Sequence, residues 1–208
     1  MKSVLISIQP YWVFLIIAKI MGWKVEQHKN IEVRKNFPQG EKWDKVVKIY
    51  CSKDRKSFNL IPKKYQPLMQ KFLGKIIGEF TCDKIYKIDA DSVDWIYIAE
   101  TYCKYFYEAK DLNCCLSDGE LYSYSKGLCL YGWHISDLKI YDKPKELSEF
   151  YSAKWDMPCE HKKRGFNMDF CMAYENGSHF CKELNCDKKR LSRPPQSWCY
   201  VESGVQCE

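Results

Sequence analysis

The sequence predicts an α+β fold in which short strands alternate with a few helices. Two observations point there. Apolar residues alternate with period 2 in several runs along the chain, as strands with one covered face require. One run, residues 10–21, is instead apolar nearly all round, opens on Pro10 and stops at Gly22, as a buried helix would. The composition is that of an ordinary globular chain, with 46% hydrophobic and 29% charged residues. At 208 residues the chain holds one core with insertions more comfortably than two full domains, so a single domain over 1–208 is expected.

The elements follow in order. Residues 3–8 alternate Val4, Ile6 and Ile8 against Ser3, Leu5 and Ser7, a strand closed by Pro10. The helix after it should pack against a barrel formed by the strands. Ile31-Glu32-Val33-Arg34 again has period 2, with Ile31 and Val33 expected to point into the core and Glu32 and Arg34 to share the opposite face. Residues 45–51 and 74–82 read as further strands, joined by a Pro- and Lys-rich connection over 52–73. Ile96, Ala99, Cys103 and Phe106 recur at helical spacing, so a helix is predicted over 92–110. Ser117 and Glu120 stand at capping-box spacing and start a short helix that Gly127 ends. One or two strands occupy 128–141, and Asp142-Lys143-Pro144 is expected to turn the chain out of them. Residues 152–190 combine cysteines and charges without a sustained period, an irregular Cys-rich insertion, and 197–202 form a closing strand.

Several classes are set aside by the composition. The apolar stretch 4–23 is broken by Ser7, Gln9, Pro10 and Lys19 and is followed by no small-residue cleavage site, so neither a membrane span nor an export signal is expected. Twelve cysteines in a chain of this length, without such a signal, read as reduced thiols of a cytoplasmic protein rather than as disulfide staples. Asn176-Gly177-Ser178 then has no glycosylation meaning. A net charge of +6 permits contact with phosphate without demanding it.

The most informative segment is Lys29-Asn30-Ile31-Glu32-Val33-Arg34-Lys35. A carboxylate acceptor and a planar guanidinium donor stand side by side on one strand face, a pair suited to a base edge or a phosphate, with Lys29 adding a movable charge. The plain alternative is an ion pair on an exposed strand. Trp133 and His134, together with Trp198, would offer flat rings and a hydrogen-bonding partner for a stacked base, against a plain role in the core. Cys159, Cys171, Cys181 and Cys186, with His161 and His179 between them, supply enough N and S ligands for one tetrahedral zinc, or else are unpaired thiols; their spacing is not that of a zinc ribbon. Lys53-Asp54-Arg55-Lys56, Lys162-Lys163-Arg164 and Lys188-Lys189-Arg190 are either solvated loop faces or parts of a phosphate path.

Four blocks in order carry a resemblance: Lys29-x-x-Glu32-x-Arg34 after a strand and a buried helix, residues 74–80, the run Gly132-Trp133-His134-Ile135-Ser136-Asp137-Leu138, and the run Pro194-Pro195-Gln196-Ser197-Trp198-Cys199-Tyr200. Together they resemble the ASCH family of the PUA-like superfamily, in particular ASCH-like proteins of bacterial and phage or prophage genomes. The resemblance implies a small PUA-like β-barrel flanked by helices, with a cleft beside the signature strand for RNA or a modified nucleotide. Some small members are amidohydrolases acting on N4-acetylcytidine through a lysine, a threonine and a distal glutamate. Lys29 matches the lysine, whereas Glu32 stands where the threonine would be, and no residue here matches the distal glutamate.

The expected function is therefore RNA or nucleotide binding through Arg34, Trp133, His134 and Trp198. The alternatives are a nucleoside- or RNA-directed hydrolase, amidohydrolase or nuclease, using Lys29 and Glu32, or a phage-encoded protein that blocks a host partner. Arg34→Ala is expected to weaken binding by ~1–3 kcal/mol while leaving fold stability little changed.

Overall fold

The alternating run at the N-terminus is strand β1 (Ser3–Ile8) of the computed structural model, which describes residues 3–38, 45–88, 113–152 and 191–203. Val4, Ile6 and Ile8 face one side and Leu5 the other, and both faces are covered. Pro10 opens α1 (Pro10–Ile17), where its missing N–H costs no hydrogen bond and its fixed φ suits the first turn. The regular helix ends at Ile17, and the chain closes it with paired bonds from Gly22 N to Lys19 O (3.3 Å) and from Trp23 N to Ala18 O (2.9 Å). Gly22 takes φ +64°, the left-handed residue that this closure needs, so glycine is the natural stop.

Strands β2 (Ile31–Arg34) and β3 (Val46–Cys51) lie where period 2 puts them. The connection over 52–73 is more regular than its composition suggests. It holds α2 (Arg55–Asn59), capped by the Asp54 carboxylate accepting from Lys56 N, and α3 (Gln66–Gln70), with a proline in its first turn. Then come β4 (Ile76–Thr81) and β5 (Ile85–Ile88). The capping box at Ser117 is complete, with Ser117 Oγ accepting from Glu120 N and Glu120 Oε2 accepting from Ser117 N, and it starts α4 (Asp118–Ser125).

β6 (Leu130–His134) and β7 (Ser136–Lys145) follow. The expected turn at Asp142-Lys143-Pro144 is not there, because these residues belong to β7. β7 is an edge strand, and its pairing with β4 slips between Ile140 and Lys145, which face Gly78 and Ile76. A proline in an edge bulge removes no ladder bond. A short 3-10 helix (Leu147–Glu149), β8 (Phe150–Ser152) and β9 (Trp198–Ser203) complete the described chain. The predicted helix over 92–110 lies outside the described residues, as does all of the Cys-rich insertion but its first residue, Ser152.

The strands divide between two sheets rather than closing into one barrel among the described residues. The larger has the order β7-β4-β3-β1-β9-β8, with β1 and β3 parallel and the other neighbours antiparallel; the smaller is β2-β6-β5. Two of the passages between the sheets are adjacent corners, residues 82–84 and Ile135. They are fastened by His134 N donating to Lys84 O (3.0 Å) and by Ser136 Oγ donating to Thr81 O (2.8 Å).

Three apolar clusters follow from this layout. α1 packs on the large sheet through Val13, Phe14, Ile16 and Ile17 against Ile6, Ile8, Val47, Ile49 and Phe80, and Trp133 of the small sheet joins them. Leu5, Tyr50, Phe150 and Val201 cover the other face of the large sheet, while Ile31, Val33, Leu121 and Leu130 seal the outer face of the small one. No helix among the described residues is long and apolar enough to cross a membrane.

Candidate functional site

In the antiparallel register of β2 and β6, Glu32 lies opposite Trp133 and Arg34 opposite Tyr131, while Ile31 lies opposite His134. Opposed residues share a face. Trp133 belongs to the cluster between the sheets, so Glu32 and Arg34 also face the inter-sheet space. The expected orientation is thus reversed: Ile31 and Val33 pack outward with α4 residues, and the charged pair points inward.

The charges are buried there. Lys29, Glu32 and Arg34 are 4%, 6% and 7% exposed. Arg34 Nη2 lies 2.9 Å from Glu32 Oε1, and Lys29 Nζ lies 3.5 Å from Glu32 Oε2, so each carboxylate oxygen faces one cation. Lys29 Nζ also donates to Cys114 O (2.6 Å) and sits 5.3 Å above the Trp12 ring. Arg34 Nη2 also donates to Ser7 O of β1 (2.7 Å), tying the small sheet to the large one. Two cations against one carboxylate leave one positive charge in excess in a low-dielectric setting, where an ion without a counter-charge is costly. Arg34 Nε is buried with no hydrogen-bond partner among the described residues. An orphaned donor of this kind costs ~1–3 kcal/mol, and a group that supplied an acceptor would recover it.

Trp198 stands at the edge of this space. It lies opposite Ile6 on β1, its ring is 6.3 Å from that of Trp133, and its Nε1 donates to Asn36 Oδ1 (2.7 Å). It is half-buried, whereas Trp133 is fully buried and part of the core. Tyr124 of α4 is 38% exposed. Burial pushes its hydroxyl pKa up, with Arg34 lowering and Glu32 raising it, so the phenol lies within the field of the cluster. Lys35 Nζ sits 5.2 Å from the Tyr124 ring. The adjacent Cys114 and Cys115 are free thiols held protonated. Burial raises both, to about 11 at Cys115, while the nearby Lys29 charge pulls down.

Of the residues expected at the site, Lys29, Glu32, Arg34, Trp133 and Trp198 come together and His134 does not. Its side chain projects to the other face of the small sheet, where Nδ1 lies 2.7 Å from Asp83 Oδ1. Burial raises the Asp83 carboxyl, but the His134 hydrogen bond and charge outweigh that and leave it below the usual carboxylate range. His134 therefore serves the corner between the sheets. Cys159, Cys171, Cys181 and Cys186 lie outside the described residues, as do the basic segments at 162–164 and 188–190. Among the described residues no group of three or more metal-ligating side chains is found.

The sequence reasoning missed Trp12, Asn36, Tyr124 and the carbonyls of Ser7 and Cys114. Trp12 carried no distinguishing signal, being one of three aromatic rings on the helix with Tyr11 and Phe14. The carbonyls carried none, since any residue has one.

No family model matches the chain, and no curated protein matches it. Among solved structures it is similar to the ASCH protein of Zymomonas mobilis, with 14% identity over 96% of this chain and 87% of that one and a TM-score of 0.43. A tyrosine-to-phenylalanine mutant of the same protein aligns over 97% of this chain and 91% of that one, with 15% identity and a TM-score of 0.45. A serine-to-alanine mutant gives 13% identity over 96% and 88%, with a TM-score of 0.47.

Proposed function

We propose that the chain binds RNA or a modified nucleotide in the inter-sheet space beside β2. The observation that carries this reading is the buried cluster of Lys29, Glu32 and Arg34, with its excess positive charge and the unpartnered Nε of Arg34. A phosphate or a base carbonyl would supply the missing acceptor, and its negative charge would offset the surplus. Trp198, half-buried and 6.3 Å from the Trp133 ring, is the ring on which a bound base would stack, and such stacking is worth ~1–3 kcal/mol. The resemblance of the signature strand to that of ASCH proteins supports the same ligand class.

A hydrolase role for Lys29 and Glu32 is the second reading, favoured by their 3.5 Å approach. It requires a rearrangement first, because both oxygens of Glu32 face cations and Lys29 Nζ donates to a carbonyl.

The test is a titration of wild type, Arg34→Ala and Arg34→Lys with nucleoside monophosphates and with a single-stranded RNA of roughly 12 nucleotides, inside the usual ~4–16 nucleotide footprint. Thermal melts run beside it. Arg34→Lys keeps the charge and loses the fork, so binding should weaken by ~1–3 kcal/mol while the fold persists. Affinity equal to that of wild type in both variants would remove Arg34 from the site. Stability should respond more than the sequence suggests: Arg34→Ala strips the bonds to Ser7 O and Glu32 and should lower the melting temperature as well.

A further inference from the structure

The positive charge of the chain is concentrated away from the buried cluster. Residues 53–75 carry Lys53, Arg55, Lys56, Lys63, Lys64, Lys71 and Lys75 against one carboxylate, Asp54, an excess of six that equals the net charge of the entire chain. Asp54 is occupied as the N-cap of α2, and Lys75 pairs with Glu146 at 3.0 Å. The other six cations are exposed, and none makes a salt bridge among the described residues. A surface that repels itself and is left uncompensated suits a polyanion.

A second observation gives this surface a chemistry beyond charge. Trp23 and Tyr65 are both half-buried and stack with centroids 4.9 Å apart, and Lys64 Nζ lies 4.6 Å from the Tyr65 ring. Inside the core, ring contacts that pass through the buried Phe14 tie the stack to the cluster. Tyr65 meets Phe14 at 5.3 Å, Phe14 meets Tyr11 at 6.3 Å, and Tyr11 meets Trp12, the ring under Lys29, at 5.2 Å. Tyr11 N donates to Ser57 Oγ (3.0 Å), which holds α1 against α2. Rings interleaved with cations form the kind of platform on which single strands lie, bases stacking while phosphates track the charge.

We propose that the face formed by α2, α3, Trp23 and Tyr65 is a second contact surface for a single-stranded nucleic acid, one nucleotide of which enters the buried cluster. This deepens the reading above and rests on it in one respect, that the same strand serves both places. The preferred ligand is then a strand of several nucleotides rather than a free nucleotide.

The experiment compares wild type, the exposed-surface variant Lys63→Glu/Lys64→Glu, and Arg34→Lys. Each is titrated with a fluorescent single-stranded RNA of roughly 12 nucleotides, the DNA of the same sequence, and a nucleoside monophosphate, over a range of salt. The double reversal should weaken RNA binding at least about tenfold near 0.1 M salt and reduce the slope of log K against log salt by about 1.4, at about 0.7 for each phosphate no longer neutralised. Its monophosphate affinity and melting temperature should match wild type. Arg34→Lys should weaken both ligands. Unchanged RNA affinity in the double reversal, or equal losses for RNA and monophosphate, would overturn the proposal. So would no RNA binding by wild type, or tighter binding of wild type to phosphatidylserine vesicles than to RNA. RNA binding that survives Arg34→Lys but is abolished in the double reversal would instead leave this surface standing and overturn the buried site.

Discussion

Glu32→Gln is the sharpest perturbation of the buried cluster, because it removes the one negative charge and almost no volume. In the native arrangement the carboxylate holds Arg34 at 2.9 Å and Lys29 at 3.5 Å, all three side chains being at least nine-tenths buried. The variant leaves two cations facing a neutral amide. Removing one partner of a buried ion pair costs ~3–5 kcal/mol, since the remaining charge has lost its compensation. The loss should fall near the lower end, as the amide oxygen still accepts a hydrogen bond and the carbonyls of Ser7 and Cys114 still hold Arg34 and Lys29. For a chain of this size, a loss of about 3 kcal/mol corresponds to a fall in melting temperature of about 6–12 °C. Thermal and urea unfolding of both proteins provide the assay, repeated with added sulfate. An anion drawn to the doubly positive cluster should restore more stability to the variant than to wild type. A loss below about 1 kcal/mol, the scale of a solvated surface pair, would refute the reasoning, as would equal sulfate effects on the two proteins.

Gly78→Ala should destabilise the large sheet by about 1–3 kcal/mol, since a Cβ there would run into the Lys139 carbonyl oxygen of the neighbouring strand, where backbone cannot give way. Urea midpoints check this, and an unchanged midpoint would contradict it. Glu79 supplies a pH dependence. Burial raises its carboxyl, but hydrogen bonds from Lys48 (2.8 Å) and Tyr141 (2.6 Å), with the charges of Lys48 and Lys139, outweigh that and leave it below the usual range. A carboxyl depressed in the folded state contributes stability above its unfolded value of about 4.3 and loses it as pH falls through the folded one. The stability gap between wild type and Glu79→Gln should therefore be constant near pH 7 and shrink below about pH 4. A gap that does not change with pH would contradict the assignment.

Where local rules decide the structure, the sequence is a good guide. Strands β1 and β2 coincide with their alternating runs, and the capping box at Ser117 and the stop at Gly22 do what their residue types require. Side-chain alternation also puts Glu32 and Arg34 on one face. It is silent on what covers that face, because the covering groups come from far along the chain: Ser7 lies 27 residues from Arg34, and Cys114 lies 85 from Lys29. A charged face reads as solvated until such partners are known, so the inward orientation escapes a sequence reading. His134 is a different kind of miss. Neighbours in a strand project to opposite faces, so Trp133 and His134 could not both line one cleft, and the period-2 rule applied to Glu32 would have separated them. The turn expected at Asp142-Lys143-Pro144 fails because turn composition also suits an edge-strand bulge, and only the sheet order tells them apart.

We propose above that the buried cluster beside β2 binds a nucleic-acid or nucleotide ligand through Arg34. Mass spectrometry of the small molecules and nucleic acid that co-purify with wild type and with Arg34→Lys, prepared side by side at matched yield, tests it most directly. A nucleotide or RNA fragment should accompany the wild-type protein, with at least about a fivefold loss of it from the variant, the low end of what a bidentate contact is worth. Equal amounts of the same ligand on both proteins, or none on wild type, would contradict it.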